Sequence, residues 1–155
     1  MKIELIRCRY NSTHSYKYYP FDYCCERLKN NPCVILTNDD LKYGTKDEDD
    51  DYIPQFCTSY TEVISSYEDE WEQTHNYPIA YCPHCNELIE IAVVGQADCT
   101  NKYKKLQRLR RNLWNKCRET DSKKEEAKLR KEADALDKQI DSFYKLNEWD
   151  PEKYL

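Results

Sequence analysis

The motif Cys82-Pro83-His84-Cys85 is the part of this sequence whose residue types and spacing most clearly predict chemistry. Two thiolates separated by two residues can bind one metal ion from a single tight turn, and Zn²⁺ accepts such ligands tetrahedrally at about 2.3 Å. Pro83 fixes its own φ, and Asn86 tolerates the left-handed conformation that closes such a turn. The apolar run that follows reads as a strand. The segment is therefore typical of a zinc knuckle at the tip of a hairpin with arms at 79–82 and 88–94.

A structural zinc has four ligands, so two further donors are needed. The adjacent pair Cys24 and Cys25 lies in segment 20–29, which predicts a short helix with Asp22 as its N-cap. The free N–H groups and the positive dipole of a first helical turn favour thiolates. Adjacent side chains on a helix diverge by about 100°, so both can bind one ion only from a bent first turn. We predict one structural Zn²⁺ held by four thiolates. They are Cys24, Cys25, Cys82 and Cys85, with Cys8 as the alternative to one of the first two.

Two other interpretations of the cysteines are weaker. A thioredoxin-like dithiol site requires the motif to follow a strand and to begin a helix, whereas residues 88–94 read as a strand. A disulfide framework is disfavoured because the nine cysteines are an odd number and residues 2–7 do not resemble a secretory signal. We therefore expect reduced thiols and a cytoplasmic location, in a bacterial host cytosol. Of the remaining cysteines, we interpret Cys33, Cys57 and Cys117 as free core residues, and the pattern does not assign Cys99.

The hydropathy pattern predicts an α+β fold. The 155 residues suffice for one domain or for one domain with an appendage. Alternating or apolar runs predict strands at 2–9, 33–37 and 52–65, and segment 10–19 reads as a loop. Apolar residues at helical spacing predict helices at 101–119 and 123–146, and Ser122 with Glu125 forms a capping box at the start of the second.

These elements suggest two domains. Residues 1–98 form a small antiparallel sheet with the zinc knuckle and the short helix. Residues 99–155 form a C-terminal antiparallel helical hairpin, for which one long coiled coil is the alternative. The mean hydropathy of −1.02 leaves a modest apolar core, which the coordination energy of a metal would supplement.

Charge is unevenly distributed between these two predicted domains. Residues 1–98 contain 8 Lys or Arg and 18 Asp or Glu, a net charge of −10, whereas residues 99–155 contain 16 and 11, a net charge of +5. The helix at 101–118 is strongly basic, which is typical either of a nucleic-acid backbone contact or of a solvated helix surface. We expect weak nucleic-acid binding, or none, at physiological salt, because the acidic domain repels the same phosphates.

Acidic residues with interleaved aromatic side chains suggest a protein-binding surface instead. Segments 39–51 and 68–72 could engage a basic protein surface, since Tyr and Trp are common anchors of interfaces. The candidate partner-binding residues are Asp47, Asp49, Asp50, Asp51 and Trp71. Catalytic motifs such as a Gly-rich phosphate loop, a Gly-x-Ser-x-Gly turn or a His-Glu-x-x-His helix are absent from the sequence, so we expect no enzymatic activity.

Two segments carry a family resemblance. The run Cys24-Cys25-Glu26-Arg27-Leu28, the run Tyr81-Cys82-Pro83-His84-Cys85 and the Ile-rich strand after it resemble small zinc-ribbon-like proteins of bacteriophages and mobile elements. The acidic character and the metal motif are similar to those of a zinc-binding anti-CRISPR protein, an inhibitor of the type II effector nuclease. The matching residues cover about a third of the chain, and Asn86 stands where the knuckle usually has Gly.

The resemblance implies a non-enzymatic inhibitor that docks on a large nucleoprotein enzyme and blocks nucleic-acid loading. The resemblance does not assign an inhibitory role to any residue of this sequence. The alternative is a zinc-ribbon nucleic-acid-binding or transcription accessory protein that uses the basic helix 101–118.

Overall fold

A computed structural model describes residues 1–39, 41, 43–48, 51–67 and 69–155. The fold is α+β, as predicted. Along the chain the elements are β1 Lys2–Tyr10, β2 Thr13–Tyr18, α1 Glu26–Lys29, β3 Val34–Thr37, β4 Gln55–Ser65, β5 Glu70–Pro78, β6 Glu90–Asp98, α2 Thr100–Glu119, α3 Lys123–Tyr144, β7 Asn147–Glu148 and α4 Pro151–Tyr154. No helix in the described part of the chain has the length and the apolar character needed to cross a membrane.

The strands form two sheets. One has the order β6-β1-β2-β7 and includes a parallel pair, β2 with β7, whereas β3, β4 and β5 form a sheet that is antiparallel throughout. The prediction of a small antiparallel sheet therefore holds only for the second of these. Strand β2 lies where a loop was predicted. The alternation of apolar and polar residues that predicts a strand is concealed in β2, because two of its buried side chains, Ser15 and Lys17, are polar.

The two predicted arms of the metal hairpin differ from the strands observed: the first is shorter and the second begins and ends later. Segment 79–82 contributes only an isolated bridge, in which Tyr81 pairs with Leu88. Strand β6 begins at Glu90 and runs through Gly95 to Asp98, so the prediction that the chain leaves the sheet at Gly95 is wrong. Gly95 lies in open space, since a Cβ atom added to it would meet no other atom within 4 Å. Its surroundings therefore do not require the strand to end there.

The chain divides into two compact units, each built from two separate segments. Unit 1 comprises Met1–Leu5 and Tyr19–Val93, and unit 2 comprises Ile6–Tyr18 and Val94–Leu155. The division falls within β1 and within β6, whereas the predicted boundary was at residue 98. With these bounds the charge asymmetry increases: unit 1 has 5 Lys or Arg against 17 Asp or Glu, a net charge of −12, and unit 2 has 19 against 12, a net charge of +7.

Helices α2 and α3 begin and end within two residues of their predicted bounds. Ser122 is the N-cap of α3, and its side chain accepts a hydrogen bond from the N–H of Glu125 at 3.5 Å. The two helices contact each other through side chains, including an ion pair of 3.0 Å between Arg110 and Asp137. Helix α2 begins at Thr100, one residue before its predicted start, and Cys99 occupies the cap position.

Aromatic rings and one disulfide form the core of unit 2. Tyr10, Phe143 and Tyr154 are almost fully buried, and the Phe143 ring meets the other two edge-on. Cys8 and Cys99 form a disulfide whose Cα atoms lie 6.0 Å apart, a usual separation for such a bond. The expectation that all thiols are reduced is therefore wrong for this pair.

Lys17 is the one buried lysine of this core among the described residues. Its side chain has no exposed area, and its Nζ donates to the carbonyls of Phe143 at 3.0 Å and Lys145 at 2.6 Å. It also lies 5.3 Å from the centroid of the Tyr154 ring. The ammonium group thus satisfies carbonyl groups that α3 leaves without intrahelical partners at its end. Burial, together with the charge of Lys153, lowers the pKa of Lys17 to about 7.

Raising the pH from about 6.5 to about 9 should stabilise the wild type relative to a Lys17→Met variant. The unfolded chain holds the lysine proton up to about pH 10.5, whereas the folded chain releases it near 7. The unfolded state therefore binds more protons within this window, and the free energy of unfolding rises with pH by up to about 2 kcal/mol. Urea unfolding of both proteins at both pH values measures this. A gap between the two proteins that does not change with pH would mean that Lys17 stays charged.

Candidate functional site

Four cysteine sulfurs of unit 1 converge on one point. The Sγ atoms of Cys24, Cys25, Cys82 and Cys85 all lie within 4.8 Å of one another, and those of Cys25 and Cys82 are 3.7 Å apart. A tetrahedral ion bound to sulfur at about 2.3 Å requires sulfur-to-sulfur separations of about 3.8 Å. The four residues predicted from the sequence are therefore brought together, and the cluster could hold a metal ion.

The turn that presents Cys82 and Cys85 has the backbone of a metal knuckle. The N–H of Asn86 donates to the carbonyl of Cys82 at 2.9 Å, and the N–H of Cys82 donates to that of Glu87 at 2.9 Å. Asn86 has a φ of 59°, the left-handed conformation predicted for it. The N–H of His84 points at the Cys82 sulfur at 3.4 Å. These bonds fix both sulfurs on one side of the turn.

The second pair reaches the cluster by a route that the sequence did not predict. Helix α1 begins only at Glu26, so Asp22 is not its N-cap; Cys25 holds that position with φ −159° and ψ 155°. Cys24 and Cys25 therefore lie in a bend before the helix. Because both residues precede the helix, the 100° divergence of neighbouring helical side chains does not apply to them.

The pKa values of three of these thiols, Cys24, Cys25 and Cys82, differ from that of a free cysteine. Burial raises the pKa of Cys24 to about 12, and hydrogen bonds with Cys85 and Cys82 add to this effect. At Cys82 burial opposes the thiolate, but the backbone N–H groups of Cys85 and His84 outweigh it and lower the pKa to about 7. At Cys25 the hydrogen bond from the N–H of Leu28 lowers the pKa, but burial and the neighbouring sulfurs together outweigh it. The pKa of Cys25 is therefore raised. Cys24 and Cys25 are thus held in the thiol form, whereas Cys82 loses its proton near neutral pH.

The other cysteines lie apart from this cluster. Cys8, the alternative ligand, is committed to its disulfide with Cys99. Cys57 and Cys117 are buried free thiols, as predicted, and burial raises the pKa of Cys57 to about 12. Cys33, also predicted to be in the core, is exposed instead.

Relatives offer no further guide to this site. No family model, curated protein or solved structure matches the chain. The resemblance to phage-encoded zinc-ribbon-like proteins and to anti-CRISPR inhibitors therefore stays a prediction. What the site does has to be argued from the geometry of its residues.

The predicted partner-binding residues lie on two different elements. Asp47 and Asp51 close a short loop, in which the N–H of Asp47 donates to the Asp51 carbonyl at 2.8 Å. Asp49 and Asp50 lie outside the described residues. Trp71 is on β5, where 48% of its side chain is exposed, opposite Ile64 of β4.

Trp71 belongs to an arm that is more extensive than the sequence analysis indicated. Strand β3 pairs with β4 only at Gln55–Thr58. Beyond that point, residues 60–75 form a two-stranded hairpin, and each described side chain of the hairpin except His75 is exposed or half-buried. We call residues 60–75 the β4–β5 arm. Two-stranded hairpins are marginally stable alone, so an arm of this length requires favourable cross-strand pairs.

Tyr60 and Trp71 lie on one face of the arm together with polar side chains, and the other face is mainly polar. Opposite pairs on the first face are Tyr60 with His75, Glu62 with Gln73, and Ile64 with Trp71. The Tyr60 ring also stacks on Tyr77 at the base of the arm, with centroids 6.0 Å apart. On the other face the hydroxyls of Thr61 and Thr74 are hydrogen-bonded at 3.0 Å.

Aromatic side chains among acids were predicted as interface anchors, but their arrangement on one face of a hairpin was not predicted. A signal was present in the alternation of Tyr60, Glu62 and Ile64 with period two, and again in residues 71–77. It is weak because polar residues occupy both faces of the two strands.

Proposed function

We propose that this chain is a non-enzymatic, zinc-stabilised protein that binds a nucleic-acid-processing enzyme through its β4–β5 arm and inhibits it. The observation that carries the proposal is the exposed face of an acidic, projecting hairpin on which Tyr60 and Trp71 lie. An RNA-guided effector nuclease is the first target to test, because the predicted anti-CRISPR resemblance names that class.

The metal centre has a structural role in this proposal. Four thiolates occupy all positions of a tetrahedral Zn²⁺, so such an ion offers no open position for substrate. Zinc would join the turn at residues 82–85 to the bend before α1 and so make a zinc knuckle. Coordination energy of this kind contributes directly to folding, and unit 1 is the part of the chain that would depend on it.

The β4–β5 arm has the composition of an interface anchor. Tyr and Trp contribute most to binding when they are fully desolvated at the centre of an interface. Tyr60 and Trp71 are each 48% exposed, and Tyr77 is 37% exposed. Each therefore retains apolar surface that a partner could bury.

The negative charge of the arm favours a partner with a positively charged surface. Residues 60–75 contain five Asp or Glu and no Lys or Arg. Enzymes that handle nucleic acid expose Lys and Arg along the channel that holds the phosphates. An acidic arm complements such a channel and would compete with nucleic acid for it.

Inhibition is tested directly with a purified type II effector nuclease, its guide RNA and a target duplex. Pre-incubation with this protein should prevent target binding and cleavage, and Trp71→Ala should raise the dissociation rate at least tenfold, since buried aromatic anchors act mainly on dissociation. Changing Glu70 and Glu72 to Gln should instead slow association and weaken its salt dependence.

A matched control is Tyr43→Ala. This residue is also in unit 1 and 73% exposed, but it lies outside the arm. It should bind like the wild type. An affinity pull-down from nuclease-treated bacterial lysate extends the test to partners other than this nuclease. The wild type and Tyr43→Ala should capture the partner, and Trp71→Ala should not. Equal capture by all three proteins would exclude the arm as the binding surface.

A further inference from the structure

Helix α2 is basic along its solvent-facing side. It has eight Lys or Arg between residues 101 and 118 and no acid before Glu119. Two of them are engaged, Arg110 with Asp137 and Lys102 with the carbonyl of Glu152 at 2.9 Å. The remaining side chains include three exposed arginines that form no ion pair with any described residue: Arg108, Arg111 and Arg118.

Two of these arginines, Arg111 and Arg118, border a groove that also contains an indole ring. The groove has a volume of about 300 Å³ and is lined by Gln107, Arg110, Arg111, Trp114, Asn115 and Arg118. Side chains three and four residues apart share one face of a helix, so the groove runs along this face. Trp114 is half-buried, which restricts its ring while leaving part of it accessible.

We propose that this groove binds single-stranded nucleic acid, with a base stacked on Trp114 and phosphates bound by Arg111 and Arg118. Guanidinium groups bind phosphate oxygens in a bidentate manner, and an indole offers a flat surface to any base. The amides of Gln107 and Asn115 can donate to and accept from base edges or sugar hydroxyls. Because stacking does not distinguish the bases, binding should tolerate most sequences.

The composition of the groove favours a single strand over other anionic partners. A duplex hides its base faces within the stack, so Trp114 would contribute little to binding it. An acidic peptide would satisfy the arginines but offers no regular series of planar groups. The net charge of +7 of unit 2 adds a general attraction for phosphates. All the contacts belong to unit 2, so this inference does not rest on the proposed function of the β4–β5 arm.

Binding is tested with the full-length, metal-loaded protein and fluorescently labelled twelve-nucleotide poly-dT and poly-U, by anisotropy. We expect micromolar affinity at about 50 mM salt. Two neutralised phosphates predict about a sevenfold loss when salt rises fourfold, because the logarithmic slope is about −0.7 per phosphate on single strands. The double change Arg111→Ala and Arg118→Ala should weaken binding at least tenfold and reduce this slope by about 1.4.

The matched control is the double change Lys128→Ala and Lys131→Ala. It removes the same charge from exposed positions of α3 in the same unit, so its effect should be threefold or less. Equal losses in the two double variants would overturn the proposal, because only the net charge would then matter.

Stacking is tested separately with Trp114→Leu. This variant should lose about tenfold in affinity for the oligonucleotides and nothing for inorganic polyphosphate, which has no bases. Preferred binding of the same sequence as a duplex, or an equal loss for polyphosphate, would contradict the proposal. Far-ultraviolet circular dichroism confirms that each variant keeps its helices.

Discussion

Replacing Cys82 by Ser should remove the metal and unfold unit 1. Cys82 is 2% exposed, and its sulfur lies 3.7 Å from that of Cys25. Serine is a poor ligand for Zn²⁺, and the three remaining thiols would lose most of their affinity for the ion. Structural zinc contributes about 10–16 kcal/mol in small zinc domains at neutral pH, which is as large as the total stability of most domains. Elemental analysis measures the metal, and amide hydrogen exchange of residues 19–93 measures the unfolding.

Cys33→Ser provides the matched control for this experiment. It makes the same chemical change in the same unit, but Cys33 is exposed and is not part of the cluster. It should keep both the metal and the protection from exchange. Undiminished zinc in both Cys82→Ser and Cys85→Ser would refute the assignment of the site. Loss of zinc with unchanged protection would show that the ion is not structural.

Removing the disulfide should have the second-largest effect, on unit 2. Cys8 and Cys99 are 91 residues apart in sequence, so the bond closes a long loop and restricts the unfolded chain. Loop-closure entropy for this length is about 4.6 kcal/mol, and measured losses for native disulfides are about 2–5 kcal/mol. The double variant Cys8→Ala and Cys99→Ala should therefore unfold at a much lower urea concentration than the oxidised wild type.

Cys117→Ala separates the cross-link from the loss of buried volume. Cys117 is 8% exposed, lies in the same unit and has a free thiol. It should cost about 1 kcal/mol, the usual scale for trimming a small buried side chain. The assignment fails if the double variant is no less stable than this control, or if alkylation of the denatured, unreduced protein labels all nine cysteines.

Local patterns were sufficient to predict the two long helices and the turn at residues 82–86. The bounds of α2 and α3 follow from apolar spacing and from the cap at Ser122, which depend only on residues within a few positions of each other. The Cys-x-x-Cys turn and the left-handed Asn86 are equally local. These features were predicted because neighbouring residues alone determine them.

Apart from the convergence of Cys24 and Cys25 with Cys82 and Cys85, features that depend on distant residues were not predicted. Nothing near Cys8 indicates its pairing with Cys99, and the polar buried side chains of β2 conceal its alternation. Segment 20–29 resembles a helix, yet the helix starts late because Cys24 and Cys25 converge on sulfurs that lie almost 60 positions further along the chain. In each case tertiary contacts override local propensity.

Because each unit consists of two separate segments, synthesis of unit 1 is completed well before synthesis of unit 2. All four cysteines of the cluster and the rest of unit 1 leave the ribosome before segment Val94–Leu155 of unit 2. Domains tend to fold as units during synthesis, so unit 1 can gather its thiols around an ion while Cys8 has no native partner. Thiols already bound to a metal cannot attack or trap Cys8. Early metal binding would thus protect the chain against wrong disulfides until Cys99 appears.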